Sequence, residues 1–309
     1  MLQKQLLQAL CYFDIFQHPL KIEELRNFCN EEITQEEVEL EVENLYKERK
    51  VYFHKAYVSI NQNIKELTEQ RKEKEKMAQA YFKKLPFFLK IIRAFPFVRA
   101  VAISGSLSKN VMHKNGDIDY FIITAKDRLW ICRTLLILFK KIFLLNSRKY
   151  FCLNYFVDED NLEIIDKNIF TAIEVTHLLP VHNPNLIESM KERNSWTKKY
   201  FSAFQQKLDL KLKPQKVKKT NILEMLFSGK FGDYLDLYLM KITHRHWQRK
   251  FKNFSYEKLQ LTMRSNRGVS KHHPHDFQTK VLAEFNLRWE KFFSEELSKQ
   301  LSHEHSLHA

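Results

Sequence analysis

The stretch SGSLSKNVMHKNGDIDYFII, residues 104–123, joins a Gly-Ser turn to two aspartates separated by one apolar residue. Ser104, Gly105 and Ser106 close a run, VRAVAIS (98–104), that reads as a buried strand. Backbone N–H groups and hydroxyls at such a turn favour an anion, and Lys109 adds a cation. In DIDYFII, alternation sets Asp117 and Asp119 on one face and Ile118 and Tyr120 on the other. Carboxylates that close repel each other unless a cation stands between them. The pattern therefore points to one or two Mg2+ (or Mn2+) ions shared with nucleotide phosphates.

Later elements must complete such a site. KYFCLNYFVDED (149–160) reads as a strand with Cys152, Asn154 and Phe156 on one face and Phe151, Leu153, Tyr155 and Val157 on the other. The smaller, more polar face should look toward the metal cleft, which puts Asn154 beside the aspartates. An amide oxygen can ligate a metal, but it cannot act as a base. Asp158 and Asp160 would substitute only if their loop folds back. FTAIEVTHLLPVHN (170–183) reads as a helix ending near Pro180, with Glu174 and His177 as a surface pair rather than metal ligands. His272, His273 and His275 in HHPHD lack a paired cysteine or a helical spacing and read as a loop.

A strand, Gly-Ser, about ten residues and then Asp-apolar-Asp-apolar resembles the signature of the DNA polymerase beta-type nucleotidyltransferase superfamily. The resemblance is specific over residues 98–124 and weaker through about 180. It implies an α/β (α+β) fold with a mixed-sheet nucleotidyltransferase core. Ser104, Gly105, Ser106 and Lys109 would hold a nucleoside triphosphate, and Asp117, Asp119 and Asn154 the metal. The implied reaction transfers a nucleoside monophosphate to an acceptor (small molecule, protein or RNA) and releases pyrophosphate. Members place a third carboxylate where Asn154 stands here. That departure keeps a second reading open, a catalytically degenerate nucleotide-binding or protein-assembly scaffold of the same fold.

Around this core the chain of 309 residues divides into four stretches. Residues 1–61 read as a winged-helix-like unit of three helices and a hairpin (51–60), with Thr34 and Glu37 forming a capping box. Residues 62–97 form a helical connector: a charged helix to Lys84, then a short apolar helix bracketed by Pro86 and Pro96. By the resemblance, residues 98–205 would hold the nucleotidyltransferase domain, and 206–309 read as a mostly helical C-terminal region with a disordered tail.

Charge separates these parts. Residues 1–60 carry 7 Lys/Arg against 11 Asp/Glu, and residues 205–271 carry 16 against 5. The acidic N-terminal unit would be repelled by DNA phosphates and suits a protein partner instead. Basic residues interleaved with Trp247 and Phe251 would suit RNA or serve as a solvated helix face. The 4 cysteines stand far apart, which argues against zinc or a disulfide framework and for a reducing, cytoplasmic setting. Leu129–Leu145 is interrupted by Arg133, Lys140 and Lys141 and reads as a buried helix, with no transmembrane span.

Overall fold

The computed structural model describes residues 1–205 and 222–307. The expected boundary at 206 and the lysine-rich run after it lie outside the described residues, as do His308 and Ala309.

The N-terminal unit is built from α1 (Leu2–Asp14), β1 (Leu20–Lys21), α2 (Ile22–Leu25), α3 (Gln35–Lys47), β2 (Tyr52–His54) and β3 (Tyr57–Ser59). Its sheet has the order β1-β3-β2, all antiparallel. The expected capping box opens α3: Thr34 Oγ1 accepts from Glu37 N–H at 3.2 Å, and the Glu37 carboxylate accepts from Thr34 N–H at 2.7 Å. The α3 glutamates lie on its outer side, while Val38, Val42 and Leu45 are fully buried. That core continues into residues of two later helices, Ile173 and Phe285, so the unit shares its interior with the rest of the chain.

α4 (Ile64–Ile92) is a single helix that runs through Pro86, where two helices were expected. A mid-helix proline costs about 3 kcal/mol. Leu85, Leu89 and Ile92 lie on the same buried face, and burying each contributes roughly 1.5–3 kcal/mol, so the continuous helix wins. Buried Arg71 ties α4 to the N-terminal unit through Glu24 and Pro19 O.

The central sheet has five strands: β4 (Val98–Ser104), β5 (Asp119–Thr124), β6 (Cys152–Asp158), β7 (Leu179–His182) and β8 (Val269–Lys271). Their order is β7-β4-β5-β6-β8, with β5 and β6 parallel and the other neighbours antiparallel. The parallel pair is joined by α5 (Leu129–Phe143), as a crossover requires. α6 (Ile169–Thr176) and α7 (Pro184–Arg193) flank β7. α8 (Ile222–Leu226), α9 (Gly229–Lys250), α10 (Tyr256–Thr262) and α11 (Phe277–Leu307) complete the chain.

This mixed α/β architecture agrees with the expected class and corrects three local expectations. Residues 179–182 are a strand, not the end of a helix, and Pro180 is tolerated because β7 is an edge strand. The C-terminal third is not wholly helical, since β8 pairs with β6 and extends the sheet. The expected disordered tail is helical as far as Leu307. α9 lies along α5, and its Asp236 accepts from Trp130 and Ile131 N–H at 2.8 and 2.9 Å, capping the first turn of α5. The four cysteines are free and buried. Among the described residues no helix is long and apolar enough to cross a membrane.

Candidate active site

The C-terminal end of β4 meets the start of β5 and the start of β6, where Ser104 pairs with Asp119 and Asp119 with Cys152. Gly105 turns the chain out of β4 at φ +66°, a conformation that favours glycine. A Cβ there would stand 2.7 Å from Asp119 Oδ2, so only glycine lets the turn approach the carboxylate. A single 3-10 turn (Leu107–Lys109) follows, and Ser108 Oγ and Lys109 Nζ both donate to Gly105 O, at 2.9 and 3.0 Å.

Asp119 and Asn154 come together, but not with the amide oxygen expected to ligate a metal: Asn154 Nδ2 donates to Asp119 Oδ1 at 2.8 Å, and Asn154 Oδ1 accepts from Cys152 Sγ at 3.3 Å. The expected alternation along β6 does not hold. The register between β5 and β6 skips Asn154, a bulge, so Asn154 and Tyr155 both line the cavity while Leu153 and Phe156 join the opposite core. Asp158 and Asp160 cannot supply a third acid. Asp158 pairs with Thr124 at the far end of the strand, where it accepts from Asp160 and Asn161 N–H, and Asp160 pairs with Lys126.

Asp117 departs from the expected geometry. β5 begins at Asp119, so Asp117 precedes the strand and does not share a strand face with it. It lies outside the cavity lining; burial raises its pKa, and the nearby cations Arg148 and Lys140 only partly oppose that rise.

Glu174 enters the site from α6 and is not the surface residue that sequence alone suggested. Its carboxylate accepts from Gly105 N–H at 3.2 Å and from Lys109 Nζ at 2.8 Å. Its expected companion turns away: His177 Nδ1 contacts Ile173 O at 2.8 Å and the ring stacks on Phe28. No local signal marked Glu174, because its position depends on α6 docking beside the β4 turn.

The cavity beside these groups has a volume of about 730 Å³. Ser104, Gly105, Ser106, Lys109, Asp119 and Glu174 form one end. Aromatic walls come from the N-terminal unit (Tyr12, Phe16), the sheet (Phe121, Tyr155), α6 (Phe170) and α11 (Phe277). Lys74 also lines it and has no carboxylate partner among the described residues; burial lowers its pKa. Lys271, by contrast, is paired with Asp166 at 3.0 Å.

Half-buried Asp119 is pushed up to about 7, chiefly by desolvation, with Asp117 and Glu174 adding repulsion and the Cys152 thiol and Lys109 opposing it. No ion pair to a described residue neutralises it. Among the described residues no group of three or more His, Cys, Asp or Glu side chains gathers for a metal. The donor set fits one hard divalent ion at Asp119, completed by ligand oxygens, as Mg2+ commonly binds through one or two carboxylates plus phosphate. It does not fit a site built from protein alone.

Of the histidines of HHPHD, His272 and His273 pack against aromatic rings, and His275 is exposed. His272 lies 5.2 Å from the Trp247 ring and His273 6.1 Å from Tyr155, and burial lowers them to about 3 and about 4. In the basic region, Arg264 and Arg267 are paired internally with Asp166, Asp127 and Asp233, so its described part is not a free cationic face throughout. Comparison with family models, with curated proteins and with solved structures gives no match.

Proposed function

We propose that the protein is a nucleotidyltransferase that moves a nucleoside monophosphate from a nucleoside triphosphate to a small oxyanion acceptor held in the aromatic cavity. The carrying observation is the meeting of Gly105 and Asp119, a Gly-Ser turn and a half-buried carboxylate at one end of a cavity with aromatic walls. A divalent ion at Asp119, with Asp117 nearby in sequence, would neutralise charge on the triphosphate. Ser104, Gly105 and Ser106 would orient the phosphates, and Asn154 fixes Asp119 through its amide.

Asn154 offers no base, so an acceptor that arrives ionised, a phosphate or carboxylate, suits the site better than a hydroxyl. Its oxygen forms a bond to the α-phosphorus, the α–β phosphoanhydride bond breaks, and pyrophosphate leaves. Lys74 is the cation that would hold such an acceptor. Walls contributed by the N-terminal unit favour a small molecule over RNA.

A second reading, a degenerate scaffold that binds nucleotide without transfer, draws on the Lys109–Glu174 pair that covers the Gly105 amide. Equilibrium binding of α-labelled ATP, CTP, GTP and UTP with Mg2+, followed by assay of pyrophosphate release with a pool of phosphorylated and carboxylic metabolites, separates the readings. Binding with pyrophosphate release supports transfer, binding alone supports the scaffold, and no binding removes both.

A further inference from the structure

α5 buries two cations on its apolar face, among Leu129, Trp130, Ile131, Cys132 and Leu136. Arg133 and Lys140 are 8% and 9% exposed, while Leu138, Ile142 and Phe143 on the same helix are 46%, 64% and 68% exposed. The side chains of Arg133 and Lys140 make no ion pair or hydrogen bond to any described residue. Desolvating a cation without an anion is costly, so a chain that keeps two of them in one place is short of a negative partner.

Their surroundings join them to the catalytic edge of the sheet. Arg133 lies between two indoles, 5.6 Å from the Trp130 ring and 4.9 Å from Trp247. Trp247 in turn contacts His272, whose N–H donates to Asn154 O at 2.9 Å. Seven residues along α5 from Arg133, Lys140 accepts at its backbone O from Asn146 N–H at 3.0 Å, in the loop before β6. Ile118, between the two aspartates, donates to Lys149 O at 2.9 Å, which sets exposed Arg148 beside Asp117. Lys250, exposed at the end of α9, acts on His272 together with Arg133 and Arg148: burial lowers the histidine's pKa, and all three cations lower it further. The carboxylate facing this group is Asp117, which forms no ion pair with it. The site lies apart from the aromatic cavity, whose lining includes none of Arg133, Lys140, Arg148 or Lys250.

We infer that Arg133, Lys140 and Arg148 form a seat for a polyphosphate chain on the Asp117 side of the site. Lys109, the cation nearest the Gly-Ser turn, is already neutralised by Glu174 at 2.8 Å, and Lys74 is left for the acceptor, so a polyphosphate chain finds its further positive charge across Asp117. That the anion is the β,γ end of a nucleoside triphosphate rests on the nucleotidyltransferase reading. The seat itself does not, and inorganic tripolyphosphate probes it alone.

The test measures binding of tripolyphosphate, ATP and AMP to the full chain without divalent metal, by calorimetry and thermal shift. Tripolyphosphate and ATP should bind with similar affinity, AMP at least tenfold more weakly, and all should weaken with salt. Arg148→Ala, at an exposed position, and Lys140→Met should each weaken tripolyphosphate at least fivefold, whereas Lys109→Met should change it less than twofold. Arg133→Met adds an independent readout: removing an unpaired buried cation should raise the ligand-free melting temperature and abolish the tripolyphosphate shift. Equal binding by wild type, Arg148→Ala and Lys140→Met, or no tripolyphosphate binding, overturns the seat. A metal-dependent nucleotide shift in that case would leave the transferase reading standing. ATP binding without tripolyphosphate binding would likewise overturn the seat.

Discussion

Gly105 and Asp119 meet where β4 ends and β5 begins: a Cβ placed on residue 105 would stand 2.7 Å from the carboxylate oxygen Oδ2, too close to be accommodated without a shift. Gly105→Ala must therefore both adopt φ +66° and displace Asp119. The expected cost is about 1–3 kcal/mol, read by chemical denaturation. Loss of nucleotide binding should accompany it, even at temperatures where the variant remains folded.

Asp119 makes ligand-free stability depend on pH. Its folded pKa, about 7, lies above the ordinary aspartate value of 3.8, so the folded state holds the proton more tightly than the unfolded chain. Its contribution is full below about pH 4 and is lost as pH rises through about 7. Asp119→Asn should flatten that window and raise ligand-free stability at pH 8 by up to about 4 kcal/mol, the equivalent of some three pKa units. Denaturant melts of wild type and variant at pH 4, 6 and 8 check the slope, and a variant curve parallel to wild type would contradict it.

Asn154→Asp would set a second acid 2.8 Å from Asp119 Oδ1, where Asn154 now donates a hydrogen bond. At neutral pH the ligand-free variant should melt lower than wild type. Mg2+ should restore it by a larger shift than it gives wild type, because a metal relieves the repulsion. Equal Mg2+ shifts in the two proteins would argue against an ion at this position.

Glu174→Gln weakens the tie between α6 and the β4 turn and frees Lys109. The loss should be about 1–2 kcal/mol, since a half-buried ion pair and a charged acceptor for the Gly105 amide are both reduced. If the carboxylate competes with phosphate for the Gly105 N–H, nucleotide affinity should rise in the same variant, as titration with ATP and Mg2+ would show.

Much of the framework could be read from local patterns. VRAVAIS is β4 to the residue, and Thr34 with Glu37 opens α3 because a capping box is written in four consecutive positions. What escaped depends on distant contacts. β8 is three residues long, too short to show a period, and exists because β6 offers an edge. β7 carries a proline that only an edge strand accepts. The Asn154 bulge breaks the alternation on which the reading of β6 relied, though Asn154 still reached Asp119. Glu174, Arg133 and Lys140 could be picked out in the sequence, but their roles could not, because those lie in what stands opposite them.

The most direct test of the account is a thermal shift of wild type and the Asp117→Asn/Asp119→Asn double variant against ATP, CTP, GTP and UTP, each with and without Mg2+. Ligand that binds only the folded state raises its apparent stability, so no acceptor needs to be known. The account predicts an Mg2+-dependent rise with at least one nucleotide in wild type that disappears in the variant. No shift with any nucleotide, or an equal shift in both proteins, would contradict it.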